Sequence, residues 1–101
     1  MKVAIPRTIQ VGGVDYKVTW DEATQEKLAN EGNNGQCNKQ ELSIKFNPRQ
    51  ARVTQTFVHE LTHAIDFEYC HANLTEQDVN GMATGFLQAL RQLGVELVLE
   101  E

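Results

Sequence analysis

The residues with the clearest chemical potential lie at positions 59–63, which read His-Glu-Leu-Thr-His. Residues four apart on an α-helix share one face, about one turn apart along its axis. If this segment is helical, His59 and His63 can bind one Zn²⁺ at about 2.0–2.1 Å per Zn–N bond. Glu60 then lies beside the pair, where its carboxylate can accept a proton from a water held by the metal. The pattern therefore predicts a zinc centre with Glu60 as general base.

An alternative interpretation is that His59 and His63 are ordinary polar residues on the surface of a helix. The chain has three histidines among its 101 residues. From this composition the pattern would arise by chance in about one such chain in a hundred. The surroundings of the pattern also match what a zinc site requires, so we favour the metal-binding interpretation.

The segment that carries the pattern is predicted to be a long helix. Asn47 can cap a helix and Pro48 suits its first position, so we expect the helix to run from Asn47-Pro48 to about Tyr69. Apolar residues recur along it at helical spacing, which predicts a face packed on the core. They include Val53, Phe57, Leu61, Ala64 and Ile65. The two histidines fall on a neighbouring face, where a cleft can open.

Two hairpins are predicted before this helix from the alternation of apolar and polar residues. The first joins residues 8–11 to residues 14–20 through Gly12-Gly13, a two-residue turn, and places the apolar residues of its second strand on one face. The second joins residues 35–37 to residues 41–46. Its second strand has one buried face, formed by Leu42, Ile44 and Phe46. These strands predict a small, mostly antiparallel sheet.

Two further helices are predicted from their capping residues. Asp21 can cap a short helix between the two hairpins. Thr75 begins a C-terminal helix, since Asp78 three residues later completes a capping box, and Gly94 marks the end of that helix. The last residues, 95–101, form either a short strand or a frayed tail.

Length and composition limit the classes of protein to which the chain can belong. One domain over residues 1–101 is expected at this length, and apolar and charged shares of 41% and 23% are those of a globular protein. A net charge of −5 argues against nucleic-acid binding. No apolar run approaches the roughly 18 residues of a membrane span, and the N-terminus lacks the apolar stretch of a signal peptide. We therefore expect a cytoplasmic protein with no membrane partner; no pattern specifies an oligomeric state.

The two cysteines, Cys37 and Cys70, are far apart and form no C-x-x-C pair. In a reducing compartment both are expected to be free thiols. A structural zinc site with four protein ligands would have to recruit one of them. Neither lies at a spacing typical of such sites, so a catalytic centre is the stronger interpretation.

A catalytic zinc centre usually has three protein ligands and an open position for water. The candidates for the third ligand are Asp66, His71, Glu76 and Asp78. His71 follows His63 by eight residues, which differs from the H-E-x-x-H-x-x-G-x-x-H arrangement. Asp66 lies one turn beyond His63 on the same helix, where a hydrogen bond to an imidazole suits it better than the metal does. A solvated carboxylate is equally compatible with that position.

Glu76 and Asp78 both lie at the start of the C-terminal helix. By helical angle Glu76 lies near the apolar face and points inward, whereas Asp78 points to the side and has the capping role. Glu76 is therefore the better third ligand, although a first-turn carboxylate also interacts favourably with the helix dipole. The residues alone leave Glu76, Asp78 and His71 open.

Residues 59–66 read H-E-L-T-H-A-I-D, and residues 76–83 read E-Q-D-V-N-G-M-A. The second segment resembles the E-x-x-A-N-x-F-A segment that follows H-E-x-x-H in the ImmA/IrrE-type zinc metallopeptidases. The first resembles the version of the motif in small phage and prophage members of that family. The hairpin from residue 35 into residues 41–44 is similar to the strand before their motif.

The chain also departs from this family. Val79 and Met82 replace the usual Ala and Phe, the loop between the two motifs is short, and no L-M-P follows. The resemblance implies a gluzincin-like minimal fold in which Glu76 is the glutamate ligand of Zn²⁺. It also implies a phage-related origin and cleavage of a cellular or phage regulatory protein.

The sequence thus predicts an α+β protein with a minimal zincin-like fold, in which a small, mostly antiparallel sheet packs against the H-E-x-x-H helix and a C-terminal helix. The expected function is zinc-dependent hydrolysis of a protein or peptide substrate. His59, His63 and Glu76 hold Zn²⁺, and Glu60 activates the water. Tyr69 or His71 could assist as an electrophile. The alternative is a zincin-fold binding or regulatory module that acts on a partner protein without turnover.

Overall fold

The structure, a computed structural model, describes residues 1–49 and 52–99. It is α+β, as the sequence predicts, with three helices and two small sheets in this part of the chain. In chain order the elements are β1 (Lys2–Ala4), β2 (Thr8–Val11), β3 (Val14–Thr19), α1 (Glu22–Glu31), β4 (Gly35–Asn38), β5 (Ser43–Phe46), α2 (Val53–Tyr69), α3 (Glu76–Gln92) and β6 (Glu96–Val98). None of the helices in the described ranges combines the length and the apolar character that crossing a membrane requires.

The larger sheet is mostly antiparallel, as predicted, since two of its three strand pairings are antiparallel, but it contains one parallel pairing that was not predicted. In the larger sheet, ordered β2-β3-β5-β4, β2 pairs antiparallel with β3 and β4 pairs antiparallel with β5, while β3 and β5 run parallel. β1 and β6 form a separate parallel pair. Each hairpin is antiparallel because its connection is short. Between the hairpins the chain passes through α1, and this longer crossover allows β5 to run in the same direction as β3.

Both hairpins bury the faces that alternation predicts. Gly12 and Gly13 have φ angles of 63° and 83°, as the two-residue turn of the first hairpin requires. Its second strand buries one side, formed by Tyr16, Val18 and, just after the strand, Trp20. In the second hairpin Ile44 and Phe46 are fully buried. Leu42 differs from the prediction, because it precedes β5 with a φ angle of 53° and is half-buried.

A chain of aromatic contacts joins the larger sheet to α2. The rings of Trp20 and Phe46 stack at a centroid separation of 5.2 Å, and Phe46 meets Phe57 of α2 edge-on at 5.9 Å. The Arg7 guanidinium lies 3.6 Å from the centroid of the Trp20 ring and covers its outer side. Because these rings are large and buried, they fix the distance between α2 and the sheet.

The start of α2 differs from the prediction. The helix begins at Val53, with Arg52 in the capping position, and not at Asn47-Pro48. The Asn47 side chain instead accepts a hydrogen bond from the Arg49 backbone N–H at 3.0 Å. Asn followed by Pro favours a turn as well as a helix start. A hydrogen bond from an Asn side chain to the backbone N–H two residues later is typical of an Asx turn. Residues 50 and 51, which the prediction included in the helix, lie outside the described residues.

The other helix ends match their capping residues. The Asp21 side chain accepts the Thr24 N–H at 2.8 Å and begins α1. Thr75 and Asp78 form the predicted capping box at the start of α3, with bonds of 3.0 and 3.1 Å. After α3 the chain turns at Gly94 and forms the short strand β6. Of the two alternatives predicted for residues 95–101, the strand is therefore confirmed for residues 96–98, while residues 100 and 101 lie outside the described residues.

The turn of the first hairpin lies against the C-terminal part of α2. The Gly12 N–H donates to the Tyr69 hydroxyl at 3.1 Å, and the Tyr16 hydroxyl donates to Glu68 Oε2 at 2.7 Å. A Cβ atom at Gly12 would lie 2.6 Å from Glu68 Cβ, whereas one at Gly13 would contact nothing within 4 Å. The turn therefore requires glycine at both positions for its φ angles, and at Gly12 also for the close approach of α2.

Alanine substitutions at Gly12 and Gly13 distinguish the cost of a positive φ angle, which both share, from the cost of the close approach of α2, which only Gly12 has. Gly13→Ala should destabilise the protein by about 1–2 kcal/mol, because it places a Cβ in the left-handed region. Gly12→Ala should lose more, since it adds a steric clash with Glu68 to the same backbone cost. The measurement is the free energy of unfolding in urea. Equal losses for the two variants would contradict the close packing of the turn on α2.

Candidate metal centre

Helix α2 brings the two predicted histidine ligands together. The imidazole rings of His59 and His63 lie one helical turn apart, with their centroids separated by 4.9 Å. The possible ligand atoms of His59, Glu60 and His63 all lie within 4.8 Å of one another. The three side chains therefore form a group able to bind a metal ion, as the spacing of the motif predicts.

Helix α3 adds a fourth side chain to this group. Glu76 is the first residue of α3, and its carboxylate contacts both imidazoles. Its Oε2 lies 3.2 Å from His59 Nε2, and its Oε1 lies 2.8 Å from His63 Nε2. Each imidazole side chain is 18% exposed, whereas that of Glu76 is 69% exposed. The carboxylate thus approaches the histidine pair from the solvent side, which corrects the prediction that Glu76 points inward. Because the two imidazoles are themselves partly exposed, Glu76 contacts them without being buried.

These distances suit a zinc ion. Zinc ligands at about 2.0–2.1 Å in tetrahedral geometry are separated from one another by about 3.3 Å. The two contacts of Glu76 with the imidazole nitrogens, at 3.2 and 2.8 Å, are close to that separation. Two imidazoles and one carboxylate are also a donor set that hydrolytic zinc sites use. The residues present therefore fit the metal.

Glu60 is buried beside the histidine pair and differs in character from Glu76. It is 8% exposed. Burial, and secondarily the negative charge of Glu76, raise the pKa of Glu60 to about 7. A carboxyl group with a pKa near neutrality can both accept and return a proton at physiological pH, which is what a general base needs.

Two adjoining cavities, together called the groove, lie against this group of side chains. One, of about 460 Å³, is also lined by Cys37 and Phe67. The other, of about 320 Å³, is also lined by Arg52 and Asn80. Gly35, His59 and Glu60 line both cavities. This group of side chains is therefore open to molecules larger than water.

The other candidates for the third ligand have different partners. The Asp78 side chain is held in the capping box of α3. His71 is exposed on the connection between α2 and α3. Asp66 is buried, and its carboxylate accepts the backbone N–H groups of Asn73 and Leu74 at 3.0 and 3.3 Å. This corrects both expectations for Asp66, an imidazole partner and a solvated group, because the carboxylate is buried and its Oδ1 accepts from the backbone of the connection.

Tyr69, which was suggested as an electrophile, has a hydrogen-bond partner outside the site. Its hydroxyl accepts the Gly12 N–H at the turn of the first hairpin, and the side chain is exposed. His71 lies on the exposed connection after α2. Neither residue lines the two cavities that flank Glu60.

Cys37 and Cys70 are free thiols in the structure. Cys37 lines the larger cavity, and burial, reinforced by the charges of Glu60 and Glu68, raises the pKa of its thiol to about 12. Cys70 follows the last residue of α2. Neither belongs to the group of close ligand atoms formed by His59, Glu60 and His63. A structural site with a fourth, cysteine ligand is therefore the weaker interpretation.

Two residues at the site were not identified from the sequence. Phe67 stacks on His63, with ring centroids 6.2 Å apart and an angle of 23° between the ring planes. Its position four residues after His63 on a helix could have indicated this contact. Gly35 lies so close to α2 that a Cβ there would be 2.6 Å from Thr56 Cγ2 and 2.9 Å from Glu60 Oε2. No local pattern indicates that approach, because it joins residues far apart in the sequence.

Alanine at Gly35 tests the close packing of β4 on Glu60. Gly35→Ala should destabilise the protein by about 1–3 kcal/mol, because Thr56 and Glu60 must shift to admit the methyl group. Gly81→Ala is the matched control, since a Cβ at this position in α3 contacts nothing within 4 Å. It should stabilise the helix by about 0.5–1 kcal/mol. Urea unfolding of both variants measures the difference, and a neutral Gly35→Ala would contradict the described packing.

Comparison of the chain with protein-family models, with curated proteins and with solved structures gave no match. The function of the chain is therefore inferred from the geometry of the site and the chemistry of its residues.

Proposed function

We propose that the protein is a zinc-dependent metallopeptidase that hydrolyses peptide bonds in a protein or peptide substrate. The observation that carries this proposal is the convergence of two imidazoles and one carboxylate beside a second, buried carboxylate. The Nε2 atoms of His59 and His63 lie within 3.2 Å of Glu76 oxygens, and Glu60 lies next to them and lines the groove. A site that only stored a metal would not need a second carboxylate buried beside these three side chains.

In this proposal His59, His63 and Glu76 hold the zinc ion. Imidazole and carboxylate donors also accept other divalent ions, but this combination is the one that hydrolytic zinc sites use. When bound, zinc lowers the pKa of a water molecule to about 7 and polarises a carbonyl group. With three protein donors, one position stays available for water or substrate.

Glu60 performs the proton transfers. Its carboxylate takes a proton from the attacking water and then gives it to the nitrogen of the scissile bond, so that the amine leaves in neutral form. The position of Glu60 suits both steps, because its carboxylate is buried next to the two imidazoles and lines the groove. Phe67, packed on His63, limits the rotation of that imidazole.

The edge of the larger sheet favours an extended peptide as substrate. β4 is one of the two edge strands of the larger sheet and pairs with β5 on one side only within the described residues. Its first residue, Gly35, lines both cavities of the groove and has no side chain to obstruct them. An extended peptide can therefore add to β4 through backbone hydrogen bonds and pass over Glu60. The family resemblance adds a phage or host regulatory protein as the class of substrate.

The metal content of the purified protein tests the first part of the proposal. We expect about one zinc ion per chain when the protein is purified with zinc present and analysed by mass spectrometry. His63→Ala should lose this zinc, because it removes one of three ligands. His71→Ala is the control and should retain it, since His71 is exposed on the connection between α2 and α3. A zinc content unaffected by His63→Ala would rule out the proposed centre.

Replacement of Glu60 tests the second part. Glu60→Gln should retain zinc but lose peptidase activity by at least about a hundredfold, because it removes the general base. Cleavage of a mixture of unstructured peptides, followed by mass spectrometry, measures this loss. Glu22→Gln makes the same chemical change at an exposed position of α1 and should have full activity. If wild-type and Glu60→Gln proteins both bind zinc and neither cleaves any peptide, the protein is a binding module and not a peptidase.

A further inference from the structure

The position of Glu76 depends on a short connection. α2 ends at Tyr69 and α3 begins at Glu76, so residues 70–75 form the whole link between the helix that carries the two histidines and the carboxylate that faces them. Because Glu76 is the first residue of α3, a small change in the path of this link moves its carboxylate directly. The link must therefore be held in one conformation if Glu76 is to face both imidazoles.

The backbone of this connection adopts a conformation that the chain does not favour by itself. His71 and Ala72 both have φ angles of 58°, in the left-handed region that non-glycine residues rarely occupy. Two consecutive residues of this kind persist only when the surrounding contacts determine them. The contacts that do so here come mainly from one residue, Asp66.

Asp66 binds the connection through both its backbone and its side chain. Its carbonyl oxygen accepts the N–H groups of Cys70 and Ala72 at 2.9 and 3.1 Å. Its carboxylate oxygen Oδ1 accepts those of Asn73 and Leu74 at 3.0 and 3.3 Å. Asp66 is 3% exposed, so these bonds are shielded from competing water. Four N–H groups of a six-residue link are thus fixed by one residue.

We propose that Asp66 is a positioning residue for the metal centre, acting through the connection on Glu76. It lies three residues after His63 on α2, so the helix that carries both imidazoles also holds the segment that delivers the third donor. The positions of His59, His63 and Glu76 relative to one another are then all determined by α2. This inference rests on the proposed function, because it assigns Glu76 to the metal.

Zinc affinity, measured by competition with a chromophoric chelator, tests the inference. Asp66→Ala should bind zinc about 10–100-fold more weakly than the wild type, the range found when groups that orient metal ligands are lost. Asp66→Asn should largely restore the affinity, because its amide oxygen can accept the same two N–H groups. Asp21→Ala is the matched control. It also removes a carboxylate that accepts a backbone N–H, but at the start of α1, and should lower stability without changing zinc affinity.

A double variant separates a positioning role from a structural one. If Asp66 acts through Glu76, then Glu76→Ala alone and Glu76→Ala combined with Asp66→Ala should bind zinc equally weakly. If the effects of the two substitutions multiply, or if folded Asp66→Ala binds zinc like the wild type, the inference is overturned. If Asp66→Ala does not fold, Asp66→Glu takes its place, since it keeps the charge and displaces the oxygen by one methylene. Wild-type affinity in that variant overturns the inference as well.

Hydrogen exchange of the metal-free protein distinguishes failure of this inference from failure of the proposed function. In Asp66→Ala, or in Asp66→Glu if it replaces Asp66→Ala, the amides of Asn73, Leu74 and Val79 should lose protection, while those of α2 up to Thr62 keep theirs. If the wild type binds no zinc, the proposed function fails, but this measurement still decides whether Asp66 holds the start of α3. Unchanged protection, or a uniform loss across both helices, would overturn the inference.

Discussion

The contact on which the rest of the site depends is that of the Glu76 carboxylate with the Nε2 atoms of His59 and His63, at 3.2 and 2.8 Å. The two imidazoles have a fixed spacing because they lie one turn apart on a single helix. The Glu76 carboxylate comes from another helix, so the way α3 packs on α2 determines whether it meets the two imidazoles. The contacts described above hold α2 against the sheet and hold the start of α3 against α2.

α2 is held against the sheet at separate points along its length. Phe57, near its start, packs on the aromatic rings of the sheet, and Glu68, near its end, accepts a hydrogen bond from the buried Tyr16. The close approach of Gly12 to Glu68 belongs to the same contact. Because the histidines lie between these points, the helix cannot rotate or slide without breaking one of them. The sheet therefore sets the orientation of both imidazoles.

The burial of Glu60 has its origin in the same packing. Gly35 of the edge strand comes so close to α2 that no side chain fits between them, and the Glu60 carboxylate is enclosed there at 8% exposure. Removing a carboxylate from water raises its pKa, here to about 7. One glycine thus contributes to both the proton affinity of Glu60 and the open space beside it. The same contact between β4 and α2 therefore affects both the pKa of Glu60 and the space through which a ligand reaches it.

The sequence by itself determined the features that depend on interactions within a few residues. The H-E-x-x-H helix at residues 59–63 and the Thr75–Asp78 capping box are of this kind, because spacing and side-chain type are sufficient to specify them. The tertiary structure decided what depends on residues far apart. It brought Glu76 to the histidines and directed Asp66 to the connection between α2 and α3. Such choices are made by packing, which no local pattern contains.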